Sequence, residues 1–178
     1  MRPNSVDELA NLAIEASVGR RLVVLIDGRS GAGKTTLAID LGRALQRLGW
    51  PVQIVSLDDV YPGWHGLATA AAAVPRMLAP VGAGYRRYDW AQGRQTDWVD
   101  LDPTAPIIVE GAGAITPSSA PTATLRVWVD GAEAVRRQAV VNRDGPVEDW
   151  WDDWSAQETA HIEVDGPIAM ADVLNSPP

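Results

Sequence analysis

The chain has 178 residues, long enough for one α/β domain that buries roughly two thirds of its unfolded surface. Its formal net charge of −8 disfavours nucleic acid or an anionic membrane as a partner, because both require a basic surface. The absence of cysteine excludes disulfides and thiolate metal sites. No stretch is apolar enough for a secretory signal or a membrane span, which predicts a cytoplasmic protein and leaves a homodimer open.

The first part of the chain predicts two helices and two strands in alternation. Ser5 and Glu8 form a capping box, which predicts that a helix begins there. The continuous apolar run 22–26 is typical of a strand buried on both faces of a sheet. Leucines and alanines at helical spacing predict a helix over 35–48, and 51–57 is the next predicted strand.

The middle of the chain has weaker patterns. Residues 67–79 are rich in alanine but contain Pro75, which predicts a broken helix rather than a continuous one. Residues 80–102 hold glycines, arginines and aromatic residues without clear periodicity. They are therefore predicted to be a loop-rich segment on the acceptor side of the site.

The last part of the chain returns to strands and helices. Apolar runs predict strands over 107–110 and 125–129, and 132–143 is helical in character. Gly145-Pro146 predicts a break, after which an acidic, tryptophan-rich helix follows. The tail 175–178 is predicted to be frayed. Strands that alternate with helices predict a parallel α/β sheet.

A glycine-rich turn between the first strand and the second helix matches GxxxxGK[ST] in full, in the context that this motif requires. Such glycines let successive N–H groups face one anion, and the helix N-terminus adds partial positive charge. We expect Lys34 to reach the β and γ phosphates of ATP and Thr35 to hold Mg²⁺. An ordinary glycine-rich turn is the alternative. The residues expected to bind the nucleotide are Gly28, Arg29, Ser30, Gly31, Ala32, Gly33, Lys34, Thr35 and Thr36.

Lys34 is the only lysine among 15 basic residues. The NKxD element with which guanine-specific GTPases read their base therefore cannot be present. The same count excludes the phosphate loop with an additional lysine that partitioning-type ATPases use. A coding bias toward arginine explains the count equally well.

Two acids follow the second predicted strand, where open α/β sheets place their ligands. Asp58 or Asp59 can accept a hydroxyl proton there while a phosphoryl group is transferred in line. Capping of a following helix is the alternative.

The motifs together resemble the uridine kinase and phosphoribulokinase group of P-loop small-molecule kinases. Their order and rough spacing hold from about residue 20 to residue 173. The segments that carry the resemblance are GRSGAGKTT, DDVY, YDW at 88–90, IIVEGAGA at 107–114 and VDGAEAVRRQAVVNRD at 129–144.

The resemblance implies a role for several residues. Asp58 would be the catalytic base, Tyr61 would line the acceptor pocket, and Glu110 would hold Mg²⁺ directly or through water. Tyr88 and Trp90 would pack on the acceptor. Packing in the core, or capping of a helix or turn, is the alternative for residues of these types.

The resemblance also implies a small lid over about residues 136–155, in which Arg136 and Arg143 close over the nucleotide phosphates. A solvated helix face is the alternative for these arginines. The lid departs from the pattern of the group, because residues 139–140 replace an expected arginine pair and Gly145-Pro146 replaces an arginine-rich turn.

The acceptor side departs as well. No acid occurs from 62 to 87, where the nucleoside kinases of the group grip the ribose hydroxyls. Arg87 beside Arg86, with Arg94 shortly after, favours an anionic acceptor, and a solvated loop is the alternative. The tryptophans at 150, 151 and 154 either pack the lid or stack on a base.

These observations predict a single domain, residues 1–178, with a three-layer P-loop NTPase fold: a central parallel β-sheet, flanking helices and a small lid. The predicted activity is transfer of the γ-phosphate of ATP to a hydroxyl of a small metabolite. An ATP-binding switch without an acceptor is the principal alternative, and a slow hydrolase is another.

Overall fold

The computed structural model describes residues 5–175 of the chain. The prediction of a frayed tail lies outside these residues, apart from Asn175, which ends a strand. In chain order the helices and strands are α1 (Val6–Ala16), β1 (Val23–Gly28), α2 (Lys34–Arg47), β2 (Gln53–Ser56), α3 (Leu67–Met77), β3 (Gly84–Asp89), β4 (Arg94–Asp100), β5 (Ile107–Glu110), β6 (Leu125–Val129), α4 (Glu133–Asp144), α5 (Trp151–Asp165), α6 (Pro167–Met170) and β7 (Val173–Asn175).

Five strands form one parallel sheet in the order β2-β5-β1-β6-β7, which confirms the predicted parallel α/β architecture. Glu110 on β5 is in register with Ile26 on β1 and with Ser56 on β2. Because the strands are parallel, their carboxyl ends lie at one edge of the sheet. The segments that follow β1, β2 and β5 therefore meet at that edge.

The sheet lies between two layers of helices, and the alternation of side chains on β1 shows this directly. Val23 and Leu25 face one apolar cluster, which includes the buried side of α3. Val24 and Ile26 face the other cluster, which includes the buried sides of α1 and α2. The three-layer arrangement that the sequence predicts is confirmed, and it explains why β1 is apolar on both faces.

The prediction of a broken helix at 67–79 is wrong. One continuous helix, α3, spans Leu67–Met77 with Pro75 inside it. The proline lies two residues before the end of the helix, so its missing N–H removes one hydrogen bond of the last turn. Packing of the buried face, with Ala70 and Val74 in the core, stabilises the helix through that position.

The prediction of a loop-rich segment at 80–102 is also wrong, because β3 and β4 pair there as an antiparallel hairpin. Most of the side chains on the two strands are exposed or half-buried. A hairpin whose side chains are mostly exposed or half-buried lacks the alternation of apolar and polar residues by which strands are recognised. The short helix α6 and the edge strand β7 were not predicted either.

Within residues 5–175, no helix combines the length and the apolar character needed to cross a bilayer.

A buried carboxylate joins α5 to the sheet. Asp27, near the end of β1, is 0% exposed and accepts hydrogen bonds from the N–H groups of Gly28 (2.7 Å), Gly113 (3.1 Å) and Ile115 (2.8 Å). It also lies 3.0 Å from Nε2 of His161 on α5, whose Nδ1 lies 2.7 Å from Asp165. Burial lowers the pKa of His161, but its hydrogen bonds and its attraction to the two carboxylates outweigh burial and raise the pKa above 6.5.

This geometry predicts a fall in stability with rising pH. Because the folded pKa of His161 exceeds the unfolded value, its contribution is complete below about pH 6.5 and is lost as the pH rises through the folded pKa. We expect His161→Gln to remove this fall in the free energy of unfolding, measured by urea denaturation between about pH 6 and pH 9. His65, the other histidine, is exposed, and His65→Gln is the control that keeps the fall. An unchanged pH profile in His161→Gln would contradict the assignment.

Candidate functional site

The turn between β1 and α2 has the geometry of an anion-binding loop. Gly31 (φ +77°) and Gly33 (φ +90°) both take the left-handed conformation that other residues avoid. Gly33 caps α2, so the loop leads straight into the N-terminus of a helix of 14 residues. Lys34 is 9% exposed, and its Nζ donates a hydrogen bond to the carbonyl of Arg29 (3.0 Å). The lysine thus lies folded along the loop.

Ser30 of the loop is held through both of its backbone groups. Its N–H donates to Oε1 of Glu158 on α5 (2.6 Å), and its carbonyl accepts from Nη1 of Arg136 on α4 (3.0 Å). Arg136 is buried and also donates to the carbonyl of Gly131 (3.0 Å). In this position Arg136 supports the loop and does not line the cavity beside it.

Glu110 and Thr35 meet at the end of β5. The Thr35 hydroxyl donates to Oε1 of Glu110 (3.1 Å), and Glu110 is 2% exposed. Burial raises the pKa of Glu110, and the charge of Asp58 raises it further, against the attraction of Lys34 and hydrogen bonds from Ser56 and Thr35. A carboxylate in this setting is stabilised when a cation joins it.

This pair fits Mg²⁺, which is commonly held by one or two carboxylates together with the phosphates of its substrate. Among residues 5–175, no group of three or more His, Cys, Asp or Glu side chains is placed to hold a metal ion. A magnesium ion at Glu110 and Thr35 would therefore depend on phosphate oxygens for further ligands. That dependence is expected of a metal that arrives with a nucleotide.

Asp58 lies in a short 3₁₀ turn directly after β2. Ser56 caps this turn, while α3 begins only at Leu67, so neither Asp58 nor Asp59 caps a following α-helix. The Asp58 side chain is exposed, and its main-chain carbonyl accepts a hydrogen bond from Nε1 of Trp90 (2.8 Å). Trp90 belongs to the turn of the hairpin, and it thereby fixes the hairpin to the Asp58 turn.

Two cavities lie side by side above the sheet edge. The first, about 340 Å³, is lined by the phosphate loop, Glu110 and residues of α4. The second, about 490 Å³, is lined by acids and aromatic residues and has Tyr61 on its wall. Four residues line both cavities: Ser30, Thr35, Asp58 and Arg143.

Arg143 is the arginine of α4 that reaches the cavities. Its Nε and Nη2 donate to the two carboxylate oxygens of Asp144 (2.8 and 2.7 Å). The hydrogen bonds that Arg143 donates to Asp144 raise the pKa of Arg143, and the more distant charges of Asp58 and Glu110 add to the effect. An arginine that is already paired keeps little net charge for an anion in the second cavity.

Tryptophans form much of the wall of the second cavity. Trp64 stacks on Trp150 with ring centroids 4.0 Å apart and also contacts Trp90 (4.8 Å). Trp154 is buried and meets Tyr61 edge-on at 4.8 Å, and the Tyr61 hydroxyl donates to the carbonyl of Ala112 (2.8 Å). Trp150 and Trp154 thus pack on Trp64 and Tyr61 and also line the cavity, whereas Trp151 packs with Val140 and Val147 in a separate apolar cluster.

The hairpin arginines are placed elsewhere. Arg87 is exposed on β3, and Arg94 at the start of β4 donates to the side chain of Gln92 (2.9 and 2.7 Å). Neither lines the second cavity, whereas Trp90 does. Tyr88 contacts Trp90 edge-on at 5.3 Å and stands behind it. The structure does not bring an arginine clamp to the acceptor side.

A third cavity, about 530 Å³, lies between α3 and α5. Its wall is made mostly of alanine and other small residues and contains no lysine or arginine. It therefore offers no counterpart to Lys34 or to the glycine-rich turn of the first cavity. This third cavity is therefore not the candidate site.

Sequence reasoning missed the residues of α5 that hold the loop. Glu158 was given no role, although Trp154, Glu158, His161 and Asp165 follow one another at spacings of four, three and four residues. Such spacing places them on one face of a helix. Three of the four are buried, and an acid and a histidine on a buried face are a sign that both have partners.

No protein-family model matches the sequence, and no curated protein matches it. Solved structures do match the fold. A possible uridine kinase from Bacillus stearothermophilus has a TM-score of 0.68 at 24% identity, over 95% of this chain and 96% of that chain. A candidate fructose transport system kinase from Silicibacter sp. TM1040 has a TM-score of 0.61 at 19% identity, over 97% and 100% of the two chains.

A third similar structure, the YGR205w protein, has a TM-score of 0.55 at 10% identity, over 98% of this chain and 94% of that chain. At these identities the likeness concerns the fold. The chain shares the three-layer α/β fold of these structures, with the glycine-rich loop, Asp58 and Glu110 at the edge of the sheet where the strands end.

The loop geometry predicts unequal costs for alanine at its glycines. A Cβ on Gly31 would lie 2.1 Å from the main-chain oxygen of Arg136, whereas a Cβ on Gly33 or Gly19 meets nothing within 4 Å. All three have positive φ, which costs alanine roughly 1–2 kcal/mol. We expect Gly19→Ala and Gly33→Ala to lose about that much free energy of unfolding, and Gly31→Ala to lose clearly more in urea denaturation. Equal losses would contradict the close packing of the loop on α4.

Proposed function

We propose that the protein is an ATP-dependent phosphotransferase that moves the γ-phosphate of ATP to a hydroxyl of a small metabolite. The observation that carries the proposal is the common wall of the two cavities. Thr35, Asp58 and Arg143 line both the cavity beside the phosphate loop and the aromatic one. A phosphoryl group and an acceptor hydroxyl bound on the two sides would meet at this wall, as transfer requires.

The nucleotide side of the site consists of the phosphate loop, Lys34, Thr35 and Glu110. The N–H groups at the start of α2 would bind phosphate oxygens, and Lys34 would exchange its hydrogen bond with the Arg29 carbonyl for the β and γ phosphates. Thr35 and Glu110 would hold Mg²⁺, which when bound neutralises phosphate charge. The Thr35–Glu110 hydrogen bond keeps both ligands oriented toward that position.

Asp58 is the proposed general base. Its carboxylate would take the proton of the acceptor hydroxyl as the hydroxyl oxygen forms its bond to the γ-phosphorus and the bond to the β,γ-bridging oxygen breaks. ADP is then the leaving group. The side chain is exposed in the cavities while its main chain is fixed by Trp90, so it is accessible and positioned at once.

The two arginines of α4 receive different roles. Arg143 lines both cavities, and it would stabilise the transferred phosphoryl group by exchanging its hydrogen bonds with Asp144 for bonds to phosphoryl oxygens. Arg136 is hydrogen bonded to the carbonyls of Ser30 and Gly131, so it is a positioning residue of the loop. The resemblance implies that Arg136 and Arg143 both close over the phosphates. We assign stabilisation of the phosphoryl charge to Arg143 alone.

We propose an uncharged acceptor with an apolar or aromatic face. The second cavity is lined by three carboxylates, Asp58, Asp59 and Asp144, and by one guanidinium, which Asp144 already pairs. A carboxylate or phosphate on the acceptor would be repelled there. The tryptophan wall instead offers flat apolar surface for a ring to pack on.

An ATP-binding switch without an acceptor is the second candidate. The observation that favours it is the aromatic stack of Trp64 on Trp150, which joins the proposed lid to the segment after Asp58. Nucleotide binding that moved α4 would then alter an aromatic surface. ADP release measured with and without a panel of nucleosides, sugars and polyols separates the candidates, because only a kinase is stimulated by an acceptor.

Asp58→Asn is the direct test of transfer. We expect kcat with the stimulating acceptor to fall about 100-fold or more, as loss of a general base does, with little change in the Kd of MgADP. The neighbouring Asp59→Asn, which keeps the base, is the matched control. Unchanged turnover in Asp58→Asn would contradict the assigned role, and acceptor-independent phosphate release in the wild type would indicate a hydrolase.

The raised pKa of Glu110 predicts a pH dependence of metal binding. A carboxyl whose folded pKa is raised becomes protonated at a higher pH than the ordinary value of about 4.3, and only its charged form binds Mg²⁺ well. We expect the Mg²⁺ affinity of the ADP complex, measured by titration calorimetry, to fall as the pH is lowered from about 8 toward that range. Glu110→Gln should bind Mg²⁺ more weakly than wild type at about pH 8 and should lose less affinity as the pH is lowered. A wild-type affinity in Glu110→Gln would contradict a metal role.

A further inference from the structure

We propose that Glu158 is a positioning residue for the phosphate loop. Together with Arg136 it fixes the loop through hydrogen bonds to both backbone groups of Ser30. The inference deepens the proposed function and rests on it only as far as nucleotide binding. Neither Glu158 nor its contact with the loop belongs to the motifs that carry the resemblance. The contact is a feature of this chain's tertiary structure.

Glu158 carries a charge that is buried in the protein. Glu158 is 2% exposed, and its Oε1 accepts from the Ser30 N–H (2.6 Å) and from Nε1 of Trp154 (2.9 Å). Its Oε2 faces the Arg29 guanidinium at 3.7 Å. A carboxylate is buried at a large cost unless such partners compensate it. These partners are therefore what keeps the acid in place beside the loop.

The opposite charge, that of Arg136, lies on the other side of Ser30. Arg136 is 6% exposed and donates to the Ser30 carbonyl (3.0 Å). A buried anion thus accepts from the N–H of Ser30 and a buried cation donates to its C=O. Hydrogen bonds that involve a charged partner are stronger than neutral ones, so the orientation of both peptide groups is fixed.

The orientation of the peptide groups around Ser30 determines how the loop can bind an anion. A phosphate loop works by aiming successive N–H groups at one point, and a rotation of one peptide misdirects its neighbours. Glu158 takes up the Ser30 N–H, and the Arg29 carbonyl accepts from the Ala32 N–H (3.2 Å). The donors left for phosphate are therefore the N–H of Gly31 and those from Gly33 into α2. The hydrogen bonds with Glu158 and Arg136 hold the loop at Ser30, next to the left-handed turns at Gly31 and Gly33.

The two hydrogen bonds to Ser30 also join the loop to the proposed lid. Arg136 stands at one end of the segment 136–155 and Glu158 lies just beyond its other end, so both ends meet at Ser30. Trp154, which donates to Glu158, also lines the second cavity. One residue of the loop therefore connects the nucleotide side, the lid and the wall of the acceptor side.

Glu158→Met and Glu158→Gln form the test, because both fill the space while only Gln can accept the Ser30 N–H. We expect the Kd of MgADP, measured by titration calorimetry on folded protein, to rise about tenfold in Glu158→Met and to stay within about threefold of wild type in Glu158→Gln. Glu163→Gln, on the exposed side of the same helix, is the control and should leave the Kd unchanged. A wild-type Kd in Glu158→Met, or equal weakening in both variants, would overturn the proposal.

Hydrogen exchange of the wild type gives a readout that needs no variant. The amide of Ser30 should exchange slowly without nucleotide, and exchange as fast as that of an open loop would overturn the proposal even if Glu158→Met does not fold. MgADP binding separates this inference from the proposed function. Failure of the wild type to bind MgADP refutes the nucleotide site itself, whereas equal binding by wild type and Glu158→Met refutes only the role of Glu158.

Discussion

The carboxylate of Asp27 is the interaction on which the rest of the structure depends. It is fully buried at the end of the central strand, and its four partners come from three separate parts of the chain: Gly28, Gly113 and Ile115, and His161. A buried charge is tolerated only when such partners are all present. Through this one group, the phosphate loop, the segment after Glu110 and helix α5 are held in a single arrangement.

The arrangement of α5 brings a second buried acid to the loop one turn earlier. His161 contacts Asp27, and Glu158 at three residues before it contacts Ser30, so one face of the helix carries both contacts. With Arg136 on the far side of Ser30, the loop is enclosed by charged groups whose hydrogen bonds go to its backbone. The loop proposed to bind a multiply charged anion is thereby held in one conformation without a second lysine.

The charges of the site divide between its two halves. Lys34 and the helix N-terminus make the nucleotide side attractive to phosphates, whereas the acceptor side combines Asp58 and Asp59 with tryptophans and one paired arginine. Such a division suits a reaction in which an anion donates to a neutral hydroxyl compound, because only the donor has to be held by charge. The arginines of the hairpin, which suggested an anionic acceptor, are turned toward solvent and toward Gln92.

The sequence by itself determined the sheet strands β1, β2, β5 and β6, the phosphate loop and the position of Asp58 and Glu110 at the strand ends. These features follow from local spacing, since apolar runs, helical periods and the GxxxxGK[ST] pattern each lie within a short segment. Only the tertiary structure decided which arginine faces the cavities, that residues 80–102 form a hairpin, and that Glu158 holds the loop. Ser30 is 128 residues from Glu158 and 106 from Arg136 along the chain, so their contacts depend on how the helices pack on the sheet and have no local signature.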